Sequence, residues 1–84
     1  MAKSVTQAQR KQLEKLNNRM SAAQAAVFAC APNDRTPFRQ CFDMAPVSVQ
    51  QDFNSAQSAR SDFERSLTAQ GRGWFNSFGH FYSY

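Results

Sequence analysis

The placement of its helix-breaking residues constrains this chain more than any other feature. All three prolines fall in the middle, at Pro32, Pro37 and Pro46, and all three glycines fall near the end, at Gly71, Gly73 and Gly79. Two long stretches therefore contain neither residue. β-Branched side chains are sparse (Val5, Thr6, Val27, Thr36, Val47, Val49 and Thr68, with no isoleucine), which favours helix over sheet in both. In the first stretch Leu13, Leu16, Met20, Ala23, Val27 and Cys30 recur in steps of three and four, the seam of a helix that packs against another helix. The spacing predicts a helix from about residue 5 to residue 31. Ser4 with Gln7, or Thr6 with Gln9, would form its capping box, and Pro32 would end it.

Asn33-Asp34 is turn chemistry, and Thr36-Pro37 has the form of an N-cap followed by proline at the first helical position. A short helix over residues 37–44 follows, carrying Phe38, Cys41 and Phe42 on one side. The pattern restarts after Pro46, with Ser48 and Gln51 as a capping box, and runs over residues 47–70 until Gly71 stops it. Its seam reads Val49, Phe53, Ala56, Arg60, Phe63 and Leu67, an apolar stripe with one arginine inside it. Folded back antiparallel, this helix sets Phe53 against Ala23, Ala56 against Met20 and Phe63 against Leu13, so that large side chains face small ones. The expected architecture is all-α: one 84-residue domain, a hairpin of two long helices with a short connecting helix. An aromatic tail, residues 71–84, packs on it.

Six of the last eleven residues are aromatic: Trp74, Phe75, Phe78, Phe81, Tyr82 and Tyr84. Such rings hide roughly 150–250 Å² each when buried, so the tail is expected to lie on its own chain or on a partner. Two helices leave one side of their seam open. Trp74 and Phe78 are the expected cover for it, while Phe75, Phe81, Tyr82 and Tyr84 are expected outward. Trp74, Phe78 and Phe81 have helix-like spacing, against which Gly73 and Gly79 argue. As exposed anchors, Trp74, Phe75, Phe81, Tyr82 and Tyr84 would suit a protein interface. Stacking on single-stranded bases, with Arg72 nearby for phosphate, lacks a regular alternation of aromatic and basic residues.

The net charge is +4. Much of it lies on the first helix, where Arg10, Lys11, Lys15 and Arg19 form a basic face opposed only by Glu14. Such a face is ordinarily solvated; otherwise it docks on an acidic protein surface or on nucleic acid backbone. The odd member of the second seam, Arg60, is expected to lay its stem along the stripe and reach water or Glu64. Alternatively it anchors an acidic partner. Cys30 and Cys41 read as thiols in a reducing, cytoplasmic setting. In an oxidising one they would close a loop of roughly a dozen residues, stabilising by about 3 kcal/mol. A zinc site with His80 lacks paired ligand spacing. No cofactor motif, phosphate loop or paired catalytic carboxylates appear, so an enzyme is not expected. Neither a signal peptide nor a membrane span is expected, since the Ala22–Ala31 run is too short.

In size, lack of motifs and surplus of aromatic and basic side chains, the chain resembles the small accessory proteins that phages encode to bind host machinery. The sequence thus points to a protein-binding adaptor or inhibitor. The alternatives are a nucleic-acid binder and a structural subunit of a larger assembly, self-association through the open seam included.

Overall fold

A computed structural model describes residues 3–84. Its elements are helix α1 (Gln7–Phe28), α2 (Phe38–Met44) and α3 (Val47–Ala69), then strands β1 (Gly73–Phe75) and β2 (Phe81–Ser83). The long helices α1 and α3 form the expected hairpin, and the molecule measures 49 × 26 × 18 Å.

Helix α1 begins later than expected, and the reason lies at the far end of the chain. The Val5 N–H donates to the Tyr84 carbonyl at 3.2 Å and Lys3 N–H to Gly71 at 3.0 Å, so this segment is laced to the tail instead of coiling. Of the two capping boxes, Thr6 with Gln9 is the one that forms. Gln9 N–H donates to Thr6 Oγ1 at 3.1 Å, and Thr6 N–H donates to Gln9 Oε1 at 2.9 Å. Thr6→Ala removes one half of that exchange, and the expected loss is about 0.5–2 kcal/mol. Thermal unfolding should show it as a fall in midpoint, about 4–8 °C per kcal/mol for a domain near this size. An unmoved midpoint would mean the cap contributes nothing.

Two other expected caps are absent. Thr36 does not cap α2; its hydroxyl donates to Asn33 Oδ1 at 3.2 Å, inside the Asn33 turn, and Pro37 takes the cap position without a side-chain bond. Helix α3 starts on Pro46, ahead of Ser48, and likewise lacks a side-chain cap. The Pro46 carbonyl accepts the Val49 and Gln50 N–H groups, and Gln50 Nε2 ties this turn to α2 by donating to the Phe42 carbonyl at 2.6 Å. At the other end Gly71 behaves as expected. Its φ is +74°, and the Arg72 and Gly71 N–H groups bond back to Leu67 and Thr68, a Schellman closure.

Met20, Ala23 and Ala56 form the centre of the core, with Phe53 packed against it, which brings together the members of two of the three expected pairs. Arg19 crosses the same interface, donating to Ser55 at 3.1 Å and lying 3.9 Å from Asp52. Helix α2 covers one end of the seam through a ring cluster: Phe38 is 5.4 Å from Phe28 and 5.0 Å from Phe53, and Phe42 is 5.7 Å from Phe53. Cys41 is fully buried beneath it, and both cysteines are free thiols.

The tail is a two-stranded antiparallel hairpin pairing Gly73 with Ser83, Trp74 with Tyr82 and Phe75 with Phe81. Asn76 closes its loop. The Asn76 Oδ1 accepts from the Phe78 and His80 N–H groups, both at 2.9 Å, and Gly79 supplies the positive φ of +80°. Strand β1 lies against α3.

Candidate protein-binding surface

Alternation along the strands divides the tail aromatics between two faces. Trp74 and Tyr82 share one face, and their rings stack at 4.8 Å with 23° between planes. Both stay exposed, at 44% and 48%. Phe75 and Phe81 share the other, edge to face at 5.5 Å. Phe81 is half-buried, and its ring lies across Gly73. Tyr84 is exposed and tied by its backbone to Arg72 and Val5.

This corrects the expected division of the tail. Trp74 and Phe78 are not the cover of the seam: Phe78, at the loop apex, is 85% exposed. A helical tail would have turned residues 74, 78 and 81 to one side. The strand pair turns Trp74 outward, gives Phe81 the inner place and leaves Phe78 on the loop. Trp74, Phe78 and Phe81 thus all lie on the side opposite to the expected one, and Phe78 is the exposed ring that the expected contact set left out. The signal that would have found it is Asn76 followed by Gly79 between two aromatic pairs, the mark of a hairpin loop.

Arg60 meets the tail. It borders a cleft of about 540 Å³ between α1, α3 and the hairpin loop, with Leu13, Asn17, Glu64, Phe78 and Phe81. On its other side a smaller cleft is shared with Phe75 and Arg65. Of the two expected outlets for its head, water or Glu64, the second is not reached: among the described residues the one ion pair is Arg19 with Asp52. Arg60 Nε is shut off from solvent and has no hydrogen-bond acceptor among the described residues. Burial pushes the Glu64 carboxyl above its usual pKa, and the Arg60 charge pulls it partly back.

The basic face stands apart from this cleft. Arg10, Lys11, Lys15 and Arg19 are all exposed on α1, and none lines it. Arg19 is drawn toward α3, whereas Arg10, Lys11 and Lys15 make no side-chain bond among the described residues. Arg72 is committed internally, donating to Gln70 Oε1 at 3.1 Å and to the Ser4 carbonyl. It is thus not free for a phosphate beside the rings.

Among the described residues no helix is long and apolar enough to cross a membrane. Nor do three or more His, Cys, Asp or Glu side chains gather where a metal ion would sit. Comparison of the chain with protein-family models, curated proteins and solved structures finds no match in any of the three.

Proposed function

We propose that this protein is a non-enzymatic binding module, an adaptor or inhibitor that acts by capturing another protein on its C-terminal hairpin. The observation that carries the reading is the exposed aromatic set Trp74, Tyr82, Tyr84 and Phe78, presented on a hairpin fixed to the helices at both its ends. Aromatic anchors already held in place lose little entropy when they dock, and such residues supply most of the energy of many interfaces. Phe75 and Arg60 border the same region. A reducing, cytoplasmic setting accords with two free thiols.

Phe78 gives the cleanest test, because its exposed ring contributes almost nothing to the fold. The proteins retained by the immobilised wild type should be lost by Phe78→Ala and by the double variant Trp74→Ala, Tyr82→Ala. A single hot-spot truncation weakens binding by about 2 kcal/mol, roughly thirtyfold. Far-UV helicity should stay native in both variants. An unchanged retained set, or a collapse of helicity on losing Trp74 and Tyr82, rules the reading out.

A second reading, contact with nucleic acid backbone, is favoured by Arg10, Lys11 and Lys15, which are exposed and form no ion pair among the described residues. A gel-shift series at rising salt decides it, since phosphate contacts weaken steeply with salt and a missing band at low salt removes it.

A further inference from the structure

We propose that the cleft between α1, α3 and the hairpin loop is a carboxylate site, in which Arg60 receives an acidic side chain presented by a protein partner. The inference rests on the reading of the hairpin as a protein-binding surface and assigns the chemistry of one contact within it.

Arg60 occupies a position where the spacing of α3 calls for an apolar residue. A guanidinium held there needs acceptors, because a partly desolvated charge without hydrogen bonds is costly. This chain supplies none. Nε is closed off from water and unpartnered, and no hydrogen bond or ion pair engages the rest of the group among the described residues. Glu64, one turn further on, is the obvious internal acceptor and does not reach it. What the fold provides is space: about 540 Å³ bounded by Arg60 on one side and by Leu13, Phe78 and Phe81 on others.

That volume admits one side chain with its carboxylate, in a lining that joins Leu13, Phe78 and Phe81 to the polar Asn17, His80 and Ser83. The planar fork of arginine matches a carboxylate with two parallel donors, which a lysine here would not do. The site is also self-limiting. Glu64 lines the same cleft, so its own negative charge opposes an incoming anion. Arg65, bordering the neighbouring cleft with Phe75, adds a second positive charge beyond Arg60. A nucleic acid strand has better targets in Arg10, Lys11 and Lys15, which are exposed and, among the described residues, have no carboxylate within ion-pair distance.

The Arg60 Nε–Hε signal in proton–nitrogen spectra reports on the site directly. Phenylacetate should move it saturably, together with the Phe78 and Phe81 ring signals. Phenylacetamide, nearly the same shape without the charge, should leave all three in place. Glu64→Gln should tighten phenylacetate by about threefold to tenfold, the range one like charge supplies beside a half-buried site. Arg60→Gln should abolish the saturable ring shifts; should that variant fail to fold, Glu64→Gln and the amide control still decide. Equal shifts with the amide, no gain in Glu64→Gln, or displacement by inorganic phosphate more readily than by acetate would each overturn the carboxylate assignment. A silent Arg60 signal beside intact Phe78-dependent capture sinks the cleft alone. The reverse pattern, saturable shifts with capture indifferent to Phe78, sinks the hairpin surface.

Discussion

Truncating Leu67 to alanine is expected to destabilise the protein by about 2–5 kcal/mol. Leu67 is fully buried and ranks among the largest side chains with no exposure at all. It lies in the last turn of α3, where the chain leaves the helix for the hairpin. Its carbonyl accepts the Arg72 N–H at 2.9 Å, so its backbone is fixed by the Schellman closure and cannot easily follow a shrinking side chain. Against a total of roughly 0.05–0.15 kcal/mol per residue, such a loss removes a large fraction of the stability of an 84-residue chain. With a urea slope near 1–2 kcal/mol per molar, the midpoint should fall by about 1–5 M. A shift equivalent to less than about 1 kcal/mol would show that the helix end collapses around the gap.

The same junction explains what could and could not be read from the sequence. The helical hairpin was legible because its determinants are local: uninterrupted runs between breakers, and apolar residues in threes and fours. The facing of Ala56 with Met20 follows from alternating size along two such runs, and the core has it. Gly71 was legible for the same reason, since a helix stop of this kind needs only the residues beside it. The tail was not. Three-residue strands carry too little alternation to outweigh the helix-like spacing of Trp74, Phe78 and Phe81. What fixes them is remote: Val5 bonding to Tyr84, Lys3 to Gly71, and β1 resting on α3. Thr36 failed as a cap because its hydroxyl is taken up by Asn33, and Ser48 because α3 already starts on Pro46, whose carbonyl accepts the Val49 and Gln50 N–H groups and leaves Ser48 inside the first turn. Arg60 was visible as the break in an apolar stripe. Its place at the mouth of a cleft depends on where the hairpin loop comes to rest.

That resting place depends on Gly73, and Gly73→Val is expected to release the hairpin from the helices. A β-branched residue normally suits a strand, and the backbone here has no positive φ that would demand glycine. The constraint is space. A Cβ on Gly73 would overlap the Phe81 ring and come within 2.9 Å of the Tyr82 carbonyl oxygen. The ring can swing away only by leaving its half-buried seat, and the carbonyl belongs to the paired strand. Overpacking of this kind costs about 1–3 kcal/mol, and an isolated two-stranded hairpin is marginal in water. Undocking is therefore the cheaper outcome, with the helices left standing. Far-UV helicity should remain, while cross-strand contacts between Trp74 and Tyr82 vanish from proton spectra and partner capture is lost. Gly71 and Gly79 offer the contrast: nothing lies within 4 Å of a Cβ at either, so alanine there meets only the strain of positive φ. If the clash with Phe81 is the cause, pairing Gly73→Ala with Phe81→Leu should recover part of the loss, since the smaller side chain vacates the overlap. A hairpin still docked in Gly73→Val, or a double variant no better than Gly73→Ala alone, would show that Phe81 is not what makes glycine necessary at this position.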